Sequence, residues 1–466
     1  MPKISSSSLF NLVKSLTSTE KRYFKKISQE TSLKKENKYI KLFDAIHKQK
    51  TYNEDEIIRQ GKFNKNNQLP ALKIYLYNLI LQSLESYHAR RDADSELKSY
   101  LQRLKILFEK GLYEECKKII KKAKQMADKY EKHLSLLELY GWEMKLIRRG
   151  SFQTKTKQEI DNRYEEVLSV NHKYLNYKEY EWIAAKVFER MYKKGPSRSY
   201  TELADLKNML NNSPLLKGES RALTIEAKRF FYLIHITFYS EAGDFKKSYD
   251  YSKKVVELIE SHPQQIKEHP QNYIHSLFNL ALMCDMCIYY DELFNVIKKL
   301  RAIPEKLGNK CTENICATIF VRSYVLELNL YVKTCQFQKA LSLINDIEKG
   351  MKKFQGRIQK QFELNFYTLF ASIHFIQEEY NKALFWINKM IHDARDNIRE
   401  DIYCGIRLLN LIIHYELGNE DLLEYLVKST YRYLYKREKL YKFEILVLNF
   451  IRKKLPKIID AKTLTN

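Results

Sequence analysis

Four cysteines come closest to a metal-binding set. Cys284-Asp-Met-Cys287 places two thiols one helical turn apart, and Cys311 and Cys316 follow in the chain. Four thiolates can hold a zinc ion tetrahedrally. The first pair, however, sits inside an apolar helical stretch and lacks the glycine or proline knuckle of such sites. The expected role is therefore that of small apolar core residues, and no metal is expected. Cys335 and Cys404 fall in other helical stretches and add no pattern. His235, His374 and His414 lie in aromatic-aliphatic runs, which predicts packed imidazoles rather than general bases. The carboxylates Glu114-Glu115, Glu378-Glu379 and Asp421 flank turns, where negative charge favours the start of a helix. No phosphate-binding loop, dinucleotide fingerprint, His-Glu-x-x-His pair or nucleophile elbow occurs. The expectation is a protein that is not an enzyme, with no cofactor and no catalytic residue.

The basic segments carry more promise. Residues 1–50 hold 12 Lys/Arg against 4 Asp/Glu, and residues 428–457 hold 10 against 2, so each segment is +8. Together they supply 16 of the formal net charge of +24. In the first, Lys21, Arg22, Lys25 and Lys26 fall along one region of a helix. In the second, Arg432, Lys436, Arg437 and Lys442 are interleaved with Tyr431, Tyr433, Tyr435, Tyr441 and Phe443. Alternating cations and rings can hold phosphates and stack bases. Nucleic acid is thus one candidate partner. The competing reading is a solvated helix face with tyrosines packed beneath it.

These residues must be positioned by helices. Leu, Ile, Lys, Glu and Tyr dominate, and Gly (12) and Pro (8) are scarce over 466 residues. Sandwiches, barrels and glycine-rich loops need more of both. A repeating unit recurs: an aromatic residue followed by small or apolar residues three, four and seven positions later. Phe337, Ala340, Leu341 and Ile344 fit it, as do Tyr380, Ala383, Leu384 and Ile387, and Tyr290, Leu293, Phe294 and Ile297. That spacing places all four on one helix face. The aromatic positions Tyr200, Phe245, Tyr290, Phe337 and Tyr380 are separated by 45, 45, 47 and 43 residues. Tyr113 lies 132 residues before Phe245, three periods of 44, which predicts a weak copy near Phe152. Each unit reads as a helical hairpin, for example 357–377 followed by 380–396. A hairpin that cannot bury its own apolar surface stacks on its neighbours, giving a nearly one-dimensional array.

The amino-terminal region follows another pattern. Thr17-Ser-Thr-Glu20 is a capping box that opens a helix over 18–29, after a short amphipathic helix over 8–16. Further helices are expected over 37–50, from Asn53, and over 71–90. The predicted division is a basic helical cap over 1–95, in outline also helix-turn-helix-like. A hairpin array over 96–437 and a basic helix with tail over 438–466 complete it.

The start of the chain has no secretory h-region, and the longest apolar run, 230–239, is too short to span a bilayer. An odd number of cysteines, 7, without even spacing fits a reducing compartment. A cytoplasmic protein with no membrane contact is expected.

The glycine, aromatic and small residue at Gly111, Tyr113 and Cys116 resemble the tetratricopeptide repeat (TPR), as do Tyr367, Phe370 and Ala371 beside Ala383. The likeness runs over roughly residues 100–430. It departs from the family in its period, near 45 rather than 34, and in mostly lacking the closing proline. The segments Leu9–Lys26 and Tyr39–Ile46 look like the opening of bacterial TPR-like α-solenoid proteins. The resemblance implies an all-α, right-handed solenoid of stacked hairpins behind a helical cap. It carries over no activity and no site residue. A protein or peptide held on the concave face is the partner expected first. Oligomeric state stays open.

Overall fold

A computed structural model describes residues 6–30, 38–61, 69–89, 92–150, 156–194, 200–393, 400–436 and 442–454. Every regular element among them is helical. The chain forms two compact units, Met1–Asn176 and Tyr177–Asn466.

The first unit opens with α1 (Ser6–Ser15), α2 (Ser18–Glu30), α3 (Lys38–Lys48), α4 (Glu54–Gly61) and α5 (Leu69–His88). The capping box forms as its sequence dictates. Thr17 N–H donates to Glu20 Oε2 at 2.8 Å, and Glu20 N–H returns to Thr17 Oγ1 at 3.3 Å. These five helices close around Leu9, Val13, Phe24, Leu42, Phe43, Ile46, Leu76 and Ile80. A second core follows from α6 (Ala93–Glu109), α7 (Tyr113–Lys129) and α8 (His133–Arg149). Asp92 caps α6 by accepting from Ser95 N–H at 2.7 Å. The helix α9 (Lys157–Lys194) then runs out of this unit and into the next. Phe152, the expected weak repeat copy, lies outside the described residues.

In the second unit α10 (Tyr200–Asn212) precedes α11 (Ile225–Glu241) and α12 (Phe245–Glu260). After the short α13 (Pro263–Glu268) come α14 (Pro270–Met286) and α15 (Tyr290–Arg301). The short α16 (Ile303–Leu307) leads to α17 (Glu313–Lys333) and α18 (Phe337–Lys353). Then follow α19 (Lys360–Ile376), α20 (Tyr380–Asp393), α21 (Glu400–Glu416), α22 (Glu420–Lys436) and α23 (Lys442–Lys454). The repeating aromatic is the first residue of the second helix in each of the pairs α6/α7, α11/α12, α14/α15, α17/α18 and α19/α20. The small residue three positions on is buried against the partner helix. Cys116 Sγ reaches the Leu104 carbonyl at 3.8 Å, Ser248 Oγ donates to the Ile236 carbonyl at 2.9 Å, and Ala340 and Ala383 are fully buried. A larger side chain there would push the two helices apart.

Each pair turns through one residue in the left-handed region. Gly111 (φ 73°) and Gly243 (φ 75°) adopt it without a Cβ penalty. The same turn is made by Glu131, Ile288, Cys335 and Glu378, with φ between 50° and 62°. In each the next N–H reaches back five residues, as from Tyr289 to the Cys284 carbonyl at 2.8 Å. These turns carry no glycine, so the glycine signal marks only some of the hairpins.

Consecutive helices pack along the chain: α12 on α11 and α14, α15 on α14 and α17, α18 on α17 and α19, α20 on α19 and α21. First helices also touch one another, α14 with α17 and α17 with α19. This is the local packing of a helical repeat. The first helices are apolar on nearly every side, and the second helices have one apolar stripe and a polar face. First helices are therefore mostly covered by neighbours, with single positions such as His275 left exposed, and second helices meet water. Helix α17 alone among the described residues is long and apolar enough to cross a membrane by length and composition. In the fold it is the first helix of a hairpin, touching α14, α15, α18 and α19, with half of its apolar window buried.

Candidate functional site

Helices α6 and α8 of the amino-terminal unit form an open cavity of about 650 Å³. It is lined from α6 by Lys105, Phe108 and Glu109, and from α8 by Trp142, Lys145, Arg148 and Arg149. Four cations face one carboxylate here. Phe108 and Tyr113 flank the α6/α7 turn, and Trp142 of α8 completes the aromatic floor. Phe108 meets the Trp142 ring edge-on at 5.6 Å and the Tyr113 ring at 5.4 Å. Lys145 Nζ sits 4.1 Å above the Trp142 ring, and Arg149 Nε donates to Tyr113 Oη at 3.1 Å. A cation over an aromatic face is attracted by the ring quadrupole, which holds both long side chains at the rim. The arrangement offers positive charge over a flat apolar surface.

A second set of residues lies on the first helices of the other unit. Phe230, His275, Arg322 and Asn365 each stand fifteen positions before the aromatic that opens the next helix, Phe245, Tyr290, Phe337 or Tyr380. Equal register on successive hairpins places them in a row. Contacts across α11, α14 and α17 join this row. Arg322 lies 4.5 Å over the Phe278 ring, and Asn272 Nδ2 donates to Glu226 Oε1 at 3.4 Å. Arg229 pairs with Glu226 at 2.7 Å and lies 4.5 Å over the Phe230 ring. His275 is exposed to solvent, yet surrounding protein and the guanidiniums of Arg322 and Arg229 pull it down to about 4. The imidazole is neutral at physiological pH and able to donate and accept one hydrogen bond each.

The residues singled out in the sequence are distributed as follows. On α2, Lys21 Nζ lies 2.9 Å from His47 Nε2, and Lys25 pairs with Asp44 at 2.7 Å. Arg22 and Lys26 are exposed. Burial and the charges of Lys21, Lys14 and Lys25 hold His47 below its usual value. Arg432 and Lys436 are exposed on α22, beside the stacked rings of Tyr431 and Tyr435. Lys442 opens α23, and Arg437 lies outside the described residues. The two basic segments belong to different units.

Cys284 is buried in α14, and burial pushes its thiol up to about 12, an inert state. Cys311 and Cys316 lie together before and within α17, with their sulfurs 3.1 Å apart. Among the described residues no group of three or more metal-ligating side chains converges. His235 Nδ1 is 2.8 Å from the Phe231 carbonyl oxygen, and its ring stacks on Tyr251 at 4.8 Å. His374 Nδ1 meets Glu379 at 2.6 Å, and His414 Nδ1 meets Asn419 at 3.0 Å. All three tie the end of a first helix or its core together.

Sequence reasoning missed Trp142 with its four cations, because no motif links α6 to α8. It also missed His275 and Arg322, although the periods of 45 and 47 contain their alignment.

The fold and these two faces define an all-helical protein of packed hairpins, compatible with a helical repeat. No protein-family model matches the chain, and no curated protein is significantly similar to it.

Proposed function

We propose that the chain is a TPR-like, right-handed α-solenoid and a non-enzymatic scaffold that holds peptide segments of partner proteins on its first-helix face. The observation that carries this reading is the cavity between α6 and α8, with Lys105, Lys145, Arg148 and Arg149 around Phe108 and Trp142. Its chemistry suits a segment that carries both acidic and apolar side chains. Rings take the apolar group, and the cations take the carboxylates. The row at Phe230, His275, Arg322 and Asn365 supplies a second stretch of the same kind of face, where a neutral imidazole can pair with a peptide amide. A soluble, cytoplasmic setting follows from the same reading.

A screen of immobilised peptides against the full chain tests it. Peptides with acidic residues flanking an aromatic should be retained, and the double variant Lys145→Glu/Arg149→Glu should lose them by more than tenfold. Retention that ignores this charge reversal removes the cavity from the site.

Nucleic acid is the second reading, favoured by the exposed Arg432 and Lys436 beside the stacked Tyr431 and Tyr435. It predicts oligonucleotide affinity that falls steeply with salt and weakens in Arg432→Ala/Lys436→Ala. Affinity with a flat salt dependence ends that reading.

A further inference from the structure

The two cysteines at the start of α17 form a site independent of either binding face. Thr312 is the N-cap of α17 and accepts from Ile315 N–H at 3.2 Å. Cys311 directly precedes the cap, and Cys316 is the fourth residue after it. These are the two positions that pack on each other in a hydrophobic staple, which fixes the angle at which the chain enters a helix. Here both staple residues are thiols, and Sγ stands 3.1 Å from Sγ. That is about one ångström more than a disulfide bond of about 2.05 Å. Both are partly exposed. The surroundings are held in place: Cys311 N–H donates to the Gly308 carbonyl at 3.0 Å, and Arg357 Nη1 donates to Asn314 Oδ1 at 3.0 Å. Arg357 also pairs with Glu313. The two sulfurs are therefore already neighbours at the entry to α17.

We propose that Cys311 and Cys316 are a dithiol modification site, oxidised to an intramolecular disulfide by a low-molecular-weight disulfide. In the first step the Cys316 thiolate attacks one sulfur of the reagent. A mixed disulfide forms at Cys316, and one small thiolate leaves. In the second step the Cys311 sulfur attacks the Cys316 sulfur, the protein S–S bond forms, and the second small thiolate leaves with the proton from Cys311. Two protein thiols and one small disulfide become one protein disulfide and two small thiols. The protein loses two electrons and two protons, and the reagent takes both. Burial and the adjacent sulfur push the Cys311 thiol up, which makes it the resolving partner of the second step. The covalent staple ties the connector at Gly308–Cys311 to α17, the helix that bears Arg322.

The test treats the native full chain with oxidised glutathione, followed by alkylation and tryptic mass spectrometry. Trypsin cuts after Lys310 and Arg322, so both sulfurs fall in one peptide. That peptide should be lighter by two hydrogens and closed to alkylation. Cys335, exposed and alone, should carry glutathione instead and report that the reagent was active. In Cys311→Ser, Cys316 should stop as the glutathione mixed disulfide. A native peptide that carries glutathione without closing, or that stays fully alkylated while Cys335 is modified, overturns the proposal.

Discussion

Replacing Phe370 with alanine is the sharpest probe of how this protein is held together. Phe370 is fully buried in the core shared by α19 and α20. Its ring meets Trp386 edge-on at 4.9 Å and stacks with Phe366 at 6.0 Å. Deleting a buried phenyl ring costs about 3–5 kcal/mol, the sum of lost transfer energy and the cavity left behind. The contact with Trp386 contributes about 0.5–1.5 kcal/mol of that. Phe370→Leu keeps most of the volume and should cost only about 1–2 kcal/mol. Because packing runs from each helix to the next, the loss should be local. Hydrogen exchange should accelerate by at least roughly 10²-fold in α19 and α20, since 1.4 kcal/mol is about tenfold. The effect should reach α18 and α21 and leave α6–α8 unchanged. Native-state exchange read by mass spectrometry measures all of these segments at once. A loss below about 1 kcal/mol would contradict the burial, for which transfer alone exceeds that figure. Equal acceleration in α6–α8 and α19–α20 would show one global unit in place of nearest-neighbour packing.

Ile288 is a β-branched residue in the left-handed region (φ 62°) with its side chain 70% exposed. Ile288→Gly should therefore stabilise the protein by about 1 kcal/mol in urea denaturation. Tyr273 is fully buried and donates to Glu260 at 2.7 Å, so Tyr273→Phe should cost about 1–2 kcal/mol in the same assay. His275 titrates near 4 in the fold, below the ordinary 6.5. The unfolded chain thus binds the proton first, and stability is full above pH 6.5 and falls as the pH drops towards 4. His275→Gln should flatten that slope, and the His275 ring resonances of the native protein should still be those of the neutral form at pH 5.5.

The sequence alone indicated the helical content and where the second helix of each hairpin begins. Phe245, Tyr290, Phe337 and Tyr380 open their helices where the period places them, because an apolar stripe at helical spacing can be buried in only one way. The capping box at Thr17 and Glu20 was equally legible, since its partners are three residues apart. The turns at Ile288, Cys335 and Glu378 carried no sequence signal: packing of the flanking helices imposes a left-handed residue there at the expense of local preference. The unit boundary at Asn176 was silent as well, since it lies inside α9, where no breaker interrupts the helix. The tertiary structure alone brought Phe108 to Trp142 and Lys145, gathered Arg229 and Arg322 around His275, and set Cys311 against Cys316 as a matched pair of thiols. Periodicity fixes which face of a helix is buried. What a neighbouring helix then sets beside that face depends on contacts between residues far apart in the chain, and a local pattern does not encode them.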